Sequence, residues 1–278
     1  MNLKLETYSS ERSNEILCDF IKENTNFSVT RIGLGGESLV TYMTLNNQYP
    51  HPNHISMFFN NAGFYGAENF VLYAEMYRDA IYSSDLHAYW GFPGFVELEN
   101  FLLPNNKVLI DPGSLESFKF DKPWTSNFEG KKILIISPFK STIDKQLSQR
   151  ENLWKNKGVL PNATYLTYQS VQSIGGRGPH KDWYESFRIM CEDISQIDFD
   201  IALLGCGSYG LPLVGYIKNQ LKKSAIYVGG GLQLYFGILG KRWENNPDFN
   251  QYANNFWTRP STDERPNTYL SVEGGCYW

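Results

Sequence analysis

The 278-residue sequence lacks the patterns that mark membrane-spanning, disulfide-linked or zinc-binding proteins. No apolar run reaches the roughly 18 residues that a membrane span requires, and the polar segment 1–20 has no apolar core of signal-peptide length. The four cysteines are widely separated and form no CxxC pattern. We therefore expect a soluble, cytoplasmic protein without a transmembrane segment, whose thiols are free.

Positive charge and the common catalytic motifs are also scarce. The formal net charge is −4 and the Lys and Arg residues are scattered, which argues against a nucleic-acid partner because such a partner requires a basic stripe. The four histidines form no HExxH motif, and neither a GxSxG elbow nor a GxxxxGK[ST] loop is present. Aromatic residues are abundant at 15%, which suits core packing or stacking on sugar and base rings.

Alternating strand and helix patterns predict an α/β fold. Segment 132–137 is apolar on both faces, as in a central parallel strand covered on both sides. The other predicted strands are 27–32, 159–168, 199–204 and 225–228, and the predicted helices are 9–23, 38–45, 67–82, 140–156, 180–196 and 211–221. This order predicts a Rossmann-like, mostly parallel sheet with helices on both faces.

Two segments do not fit that alternation. Segment 46–66 contains prolines and asparagines and is predicted to be a loop, and segment 85–112 gives no clear pattern. We expect one domain over residues 1–243. Residues 244–278 form an aromatic-rich extension, which we expect to be ordered and packed on that domain.

The sharpest local motif is GxGxxG, formed by Gly205, Gly207, Ser208, Tyr209 and Gly210. It lies between a predicted strand and a predicted helix, where glycines let the backbone approach a phosphate at the helix N-terminus. A tight turn without a ligand is the alternative. The next strand ends in Val228 rather than in an acidic residue, which argues against an NAD or FAD enzyme.

A second glycine-rich turn follows the next predicted strand and comprises Gly229, Gly230 and Gly231, with Gln233 close behind. Ligands of open parallel sheets bind at the carboxyl ends of strands, so two such turns predict one shared phosphate pocket.

Two basic residues and two tryptophans complete this prediction. Lys241 and Arg242 could neutralise a diphosphate, or they are solvated surface charges. Trp243 and Trp183 are candidates for stacking on a ring, and burial in the core is the alternative. Thr142 and Gln146 follow the strand that ends at Ser137, and their polar side chains could line the same crevice.

A third glycine cluster follows the first predicted strand, between Arg31 and Glu37. Glu37 could act as a general base, as a metal ligand, or as a first-turn charge that stabilises its helix. The spacing alone leaves these three roles open.

Several segments together resemble the GT-D glycosyltransferases of bacterial surface-polysaccharide and protein-glycosylation pathways. They are VTRIGLGGE at 29–37, SDL at 84–86, GKKILIISPF at 130–139, FDIALLGCGSYGLPL at 199–213 and SAIYVGGGLQLYFGILGKRW at 224–243. The resemblance extends over most of residues 28–243 and implies the GT-D variant of the Rossmann-like fold.

The resemblance also implies roles for three residues. In the family, an Arg-x-Gly-Asp-Gly-Glu motif holds a divalent metal and the diphosphate of the sugar donor. Arg31 and Glu37 match the ends of that motif, but the aspartate is missing and the spacing is one residue longer. Asp85 matches a second acidic position. A Mn²⁺ or Mg²⁺ ion would have few oxygen ligands here, so Glu37 is left as the candidate metal ligand, either alone or with Asp85.

The expected function is transfer of a sugar from a nucleotide diphosphate donor to a glycan acceptor. Arg31 and Lys241 would stabilise the leaving diphosphate, and Glu37 or Asp85 would deprotonate the acceptor. A lipid-linked acceptor would place the enzyme beside a membrane as a peripheral protein. Two alternatives remain, a non-catalytic protein that binds nucleotides or glycans for assembly, and a group transferase with an adenosine cofactor.

Overall fold

Seven parallel strands form the centre of the computed structural model, which describes residues 4–278. The strands are β1 (Ser28–Arg31), β2 (Leu86–Ala88), β3 (Val108–Ile110), β4 (Lys132–Ser137), β5 (Thr164–Gln169), β6 (Ile201–Leu204) and β7 (Ser224–Tyr227). Their order across the sheet is β3-β2-β1-β7-β6-β4-β5. The predicted α/β, Rossmann-like fold is therefore confirmed, and the parallel arrangement extends to every strand pair of the sheet.

Helices cover the sheet and connect its strands. They are α1 (Ser10–Glu23), α2 (Gly36–Leu45), α3 (Pro52–Ala62), α4 (Val71–Ser83), α5 (Val96–Leu102), α6 (Lys140–Leu147), α7 (Trp183–Ser195), α8 (Gly210–Asn219), α9 (Leu232–Tyr235), α10 (Lys241–Glu244) and α11 (Pro247–Asn250). Each helix of residues 4–278 is too short or too polar to cross a lipid bilayer.

The core lies in two layers, one on each side of the sheet. Along β4, Ile133 and Ile135 join one hydrophobic cluster, whereas Leu134 and Ile136 join the other. All four side chains are completely buried. This is the arrangement expected of a strand with apolar residues on both faces, because successive side chains point to opposite sides.

The structure corrects the prediction of a loop over residues 46–66, because α3 occupies much of this segment. Pro52 stands in the first turn of α3, where the missing N–H costs no helical hydrogen bond. The ring of His51 caps the helix by accepting a hydrogen bond from Asn53 N at 3.2 Å. Gly63, with φ at +82°, ends it. The prolines and asparagines of this segment therefore mark the ends of a helix.

Other boundaries also differ from the predictions. Segment 85–112 contains β2, α5 and β3. The helix predicted over 140–156 ends at Leu147 and is followed by a short 3₁₀ turn, Arg150–Asn152. The strand predicted over 159–168 begins only at Thr164.

The C-terminal extension, residues 244–278, packs against the layer of core that includes α6. Val272, Cys276 and Trp278 belong to the hydrophobic cluster of that layer. The carbonyl oxygen of Trp278 accepts hydrogen bonds from Lys241 N at 3.2 Å and from Arg259 Nη1 at 3.0 Å. The extension is thus in contact with the rest of the chain through both apolar side chains and hydrogen bonds.

Backbone N–H groups and polar side chains of α6 form hydrogen bonds with the extension. Glu264 accepts hydrogen bonds from Ser141 N at 2.6 Å and from Thr142 N at 3.2 Å, and it also accepts one from the Thr142 hydroxyl. Gln146 Nε2 donates to Phe256 O at 3.0 Å. The prediction that Thr142 and Gln146 line a ligand crevice is therefore wrong, because both side chains bind the chain itself.

Candidate functional site

The topology of the sheet places a crevice between β4 and β6. The chain leaves β4 into α6, which packs in one core layer through Ile143, and leaves β6 into α8, which packs in the other through Leu213. Two adjacent strands whose connections depart to opposite faces define a topological switch point, where open α/β sheets bind their ligands.

A cavity of about 470 Å³ occupies this crevice and extends along the carboxyl ends of β1, β4, β5, β6 and β7. Its volume lies in the range of small-molecule sites. Ten of the predicted site residues line it, namely Arg31, Glu37, Gly205, Gly207, Tyr209, Gly229, Gly230, Gly231, Gln233 and Arg242. The three glycine clusters of the sequence thus meet in one cavity.

Arg31 places a positive charge in the cavity at the end of β1. Its Nε donates to Val228 O at 3.1 Å and its Nη1 donates to Ile32 O at 3.1 Å. The guanidinium carbon lies 5.0 Å from the centre of the Tyr227 ring and 5.9 Å from that of Trp90. No Asp or Glu side chain of residues 4–278 forms an ion pair with it. The guanidinium is therefore held by carbonyl oxygens and aromatic rings, with no carboxylate of the described chain in ion-pair contact.

Trp90 is brought to Arg31 by a buried carboxylate. Glu99 Oε1 accepts a hydrogen bond from Trp90 N at 3.1 Å, and its Oε2 accepts one from Gly91 N at 3.0 Å. The Trp90 indole in turn donates to Ile32 O at 3.2 Å. The loop after β2 is therefore fixed by side-chain contacts, and its indole forms one wall beside the guanidinium.

Glu37 stands in the first turn of α2, partly buried at the cavity wall. The carboxylate folds back over Gly33, where a β-carbon would lie 1.7 Å from Oε1. Burial raises the pKa of Glu37, against the opposing effects of its own backbone N–H and the positive charge of Arg31. A carboxylate with a raised pKa is a better proton acceptor, as a general base requires.

The GxGxxG turn contributes only part of its residues to the cavity. Gly205, Gly207 and Tyr209 line it, whereas Ser208 and Gly210 do not. The Ser208 hydroxyl is buried and accepts a hydrogen bond from the Trp183 indole at 2.8 Å. A β-carbon at Gly210 would lie 2.1 Å from the Tyr227 ring. The predicted ligand-binding role of Ser208 and Gly210 is thus not supported by their positions, since both pack inside the protein.

Of the two predicted cations near residue 241, only Arg242 lines the cavity. Arg242 is paired with Glu273 through an N–O distance of 2.6 Å, and it lies over the Tyr277 ring at 4.7 Å. Lys241 is exposed, and its ammonium group is directed at Gly274 O at 3.4 Å. Arg242 therefore shares its charge with a carboxylate, in contrast to Arg31.

Asp85 lies at the other end of the sheet, because it precedes β2 instead of following it. Its carboxylate accepts a hydrogen bond from Ser28 N at 2.8 Å and forms an ion pair with Lys218. Ser28 begins β1, whereas Arg31 ends it. The structure therefore separates Asp85 from Glu37, and the expectation that the two share one site is corrected.

The two candidate stacking residues also have different surroundings. Trp183 is completely buried and stacks on Tyr209 at 5.0 Å and Phe187 at 5.3 Å, so it belongs to the core. Trp243 is 5% exposed but lines the cavity.

Several cavity residues carry no sequence signal that predicts them. Trp90 and Ser170 stand alone in their segments, and Tyr277 and Trp278 belong to the extension. Apart from the abundance of aromatics near the C-terminus, no pattern points to these residues. Long-range packing alone brings them to the strand ends.

The cavity does not offer the ligands of a divalent cation. Among the residues that the structure describes, no three His, Cys, Asp or Glu side chains come together to hold a metal ion. Besides Glu37, the cavity contains Glu273, which pairs with Arg242, and Glu116, which pairs with Lys119. Since Mn²⁺ and Mg²⁺ require several oxygen ligands, the residues present do not fit such an ion.

Fold and cavity together define an α/β protein of Rossmann-like architecture with a ligand cavity at the switch point of a parallel sheet. Comparison with protein-family models, with curated proteins and with solved structures found no match to the chain.

Proposed function

We propose that this protein is a glycosyltransferase that moves a sugar from a nucleotide diphosphate donor to a glycan acceptor. The observation that carries the proposal is the position of Arg31, a partly buried cation that forms no ion pair within residues 4–278, in the same cavity as Glu37 and the Gly229–Gly231 turn. Withdrawing a cation from water is costly unless it is compensated, and the carbonyl contacts of Arg31 bring no negative charge, so this arrangement favours an anionic ligand.

A diphosphate is the anion that fits these surroundings. The guanidinium is planar and always protonated, and it can donate two parallel hydrogen bonds to phosphate oxygens. The glycine turn beside it keeps side chains out of the way, so that a phosphate can approach the backbone. The similarity of segments 29–37, 199–213 and 224–243 to GT-D glycosyltransferases supports a sugar nucleotide as the source of that diphosphate.

In the proposed reaction, the acceptor hydroxyl attacks the anomeric carbon of the donor sugar. A bond forms between the acceptor oxygen and that carbon, and the bond between the carbon and the β-phosphate oxygen breaks. Glu37 takes the proton of the hydroxyl, and Arg31 stabilises the negative charge that develops on the departing diphosphate. Because the cavity residues do not fit a divalent cation, we assign the compensation of this charge to Arg31. The acceptor would be a glycan of surface-polysaccharide or glycoconjugate synthesis.

Thermal unfolding with nucleotides tests this proposal. Purified protein is heated with the diphosphates of uridine, guanosine, cytidine and thymidine and with S-adenosylmethionine, each with Mn²⁺ or with a chelator. We expect one nucleoside diphosphate to raise the Tm in both conditions, because a ligand that binds the native state stabilises it. Stabilisation by S-adenosylmethionine alone would favour the adenosine-cofactor transferase, and no Tm shift would contradict the proposal.

Variants then connect the Tm shift to the cavity. Arg31→Met should weaken nucleotide binding roughly tenfold to a hundredfold, the effect of losing a charge-assisted hydrogen bond, and Arg31→Lys should restore part of it. The matched control is Arg188→Met on α7, which removes an equally charged but exposed side chain. Binding of nucleotide with no transfer to any glycan would favour the non-catalytic binding protein.

A further inference from the structure

Two polar atoms in the cavity wall are buried without a hydrogen-bond partner. Among residues 4–278, six buried side-chain oxygen or nitrogen atoms have no partner, and Ser170 Oγ and Gln233 Oε1 are two of them. Both residues line the cavity and are 1% and 2% exposed, respectively. Such atoms cost stability and are rare in folded proteins. Their presence in a cavity at the strand ends suggests that a ligand completes their hydrogen bonds.

Ser170 differs in this respect from the serines around it. Its backbone is fixed, since Ser170 N donates to Ser137 O at 3.1 Å at the end of β5. The hydroxyl of Ser137 accepts a hydrogen bond from Phe139 N at 3.2 Å, and that of Ser173 donates to Gly63 O at 2.6 Å. These two neighbours are satisfied within the chain, whereas the Ser170 hydroxyl remains available.

The orientation of the Gln233 amide follows from its other contacts. Its nitrogen donates to Ile238 O at 3.1 Å and to Tyr277 O at 3.2 Å. Because both partners are carbonyl oxygens, the nitrogen must face them, and Oε1 is left as a free acceptor. A ligand that pairs with it must therefore donate an O–H or N–H group.

Ser170 lies at the end of the cavity opposite Arg31. β5 is four strands away from β1 in the sheet, which is about 19 Å at the usual spacing of parallel strands. The cavity near the ends of β4 and β5 has apolar walls, formed by Pro138, Phe139, Val171 and Ile174. A flat, partly apolar ring with polar edge groups fits between such walls better than a phosphate does.

We infer that this end of the cavity binds the nucleoside part of the donor and that Ser170 recognises it by a hydrogen bond. The inference rests on the proposed function for the identity of the ligand. If the diphosphate lies at Arg31 and the reacting sugar beside Glu37, the β4–β5 end is left for the base and ribose. Gln233 follows β7, between Arg31 and Ser170 in the strand order, so its Oε1 is assigned to a donor group of the ribose.

Substitution of Ser170 by alanine tests the inference with two ligands. Calorimetric titration uses the nucleoside diphosphate that stabilises the native protein and, separately, inorganic pyrophosphate. Ser170→Ala should bind the nucleotide about tenfold more weakly, the loss of one hydrogen bond, and should bind pyrophosphate as the native protein does. Its Tm without ligand should be equal or higher, because an unpaired buried hydroxyl is removed.

Ser28→Ala is the matched control. Ser28 Oγ is also buried without a partner, but it lies at the opposite end of the sheet. This variant should show the same Tm without ligand as Ser170→Ala, and its affinity for both ligands should be native.

The outcomes separate the two proposals. Native nucleotide affinity in Ser170→Ala would overturn the inference while leaving the proposed function intact. If Arg31→Met binds pyrophosphate as well as the native protein does, the proposed diphosphate site is wrong. A loss of nucleotide affinity in Ser170→Ala would, even then, still support the nucleoside contact. If no nucleotide binds the native protein, both proposals are wrong.

Discussion

The guanidinium of Arg31 lies directly against the backbone of Gly229. A β-carbon at Gly229 would come within 1.5 Å of Arg31 Nη2, so this position has room for hydrogen alone. Gly229 also has φ at +78°, a conformation that other residues rarely adopt. Position 229 therefore requires glycine for two reasons, the contact with Arg31 and the positive φ.

We expect Gly229→Ala to displace Arg31 and to lower both stability and nucleotide affinity. Backbone strain at this φ costs about 1 to 3 kcal/mol of unfolding free energy, and the displaced guanidinium should reduce affinity at least tenfold. Urea unfolding and calorimetric titration measure the two effects.

Gly231→Ala is the control for this substitution. A β-carbon at Gly231 meets no atom within 4 Å, and its φ of −63° suits alanine. Its stability should be native or slightly higher. Equal losses of unfolding free energy in the two alanine variants would contradict the importance of the Arg31 contact.

Glu37→Gln should separate catalysis from binding. We expect release of nucleoside diphosphate from the donor to slow roughly 10²- to 10⁴-fold, because the proton acceptor is lost, while the Kd for nucleotide stays near native. Glu116→Gln alters another carboxylate of the cavity, and this one is paired with Lys119. A rate in Glu37→Gln as high as in Glu116→Gln would exclude Glu37 as the base.

The raised pKa of Glu37 also predicts the pH dependence of stability. The folded state holds this proton more tightly than the unfolded state, so its stabilising contribution is complete below the ordinary Glu range. That contribution is lost as pH rises through the raised pKa. The difference in unfolding free energy, Glu37→Gln minus native, should therefore be larger at pH 7.5 than at pH 4. A difference independent of pH would contradict the raised pKa.

His87 should affect stability in the opposite direction. It is completely buried between Thr30 Oγ1 at 2.9 Å and Glu99 Oε1 at 3.2 Å. Burial lowers its pKa, although Glu99 opposes the shift. The neutral form is favoured on folding, so stability is present above the ordinary His pKa of about 6.5 and is lost as pH falls below it. Urea unfolding at pH 7.5 and 5.5 should show this loss.

Replacement of His87 should remove that part of the pH dependence. His87→Gln should be less stable than native at pH 7.5, because its buried hydrogen bonds are disturbed, but it should lose less stability on acidification. An unchanged pH dependence in His87→Gln would refute the assignment.

Glu264 should control how firmly the C-terminal extension is attached. Its carboxylate lies at the N-terminus of α6, where a negative charge is favourable and the free N–H groups require acceptors. Glu264→Ala should lower the unfolding free energy by about 1 kcal/mol and accelerate proteolysis within residues 244–278. Asp263→Ala, at its exposed neighbour, should do neither. Equal proteolysis of the two variants would argue against this attachment.

The sequence predicted five of the seven strands, because these five carry local information, whereas the three-residue strands β2 and β3 gave no pattern. β4 is recognisable from the four successive apolar residues 133–136, which are buried on both faces of the sheet. By contrast, α3 was obscured by Pro52 and by asparagines, residue types that occur both in loops and at helix ends. Local patterns therefore identified the strands more reliably than the irregular connections.

The cavity was predictable only where glycine marked a strand end. Gly205 and Gly229 stand at the ends of strands that are themselves apparent in the sequence, and both line the cavity. Asp85 was misplaced because a three-residue strand gives no sign of which side of it an acidic residue occupies. Ser170 could not be found at all, since its role depends on which neighbouring hydroxyls are already paired.

Strand β7 has a consequence for the motions of the protein. In the sheet of residues 4–278, it is the link between β3-β2-β1 on one side and β6-β4-β5 on the other. Opening of the sheet at β7 would carry Arg31 and Ser170 apart with their respective halves. A ligand that contacts both residues would connect the two halves of the sheet and oppose this opening. Its binding should therefore appear as slower hydrogen exchange of the Ser224–Tyr227 amides, the residues that join the two halves of the molecule.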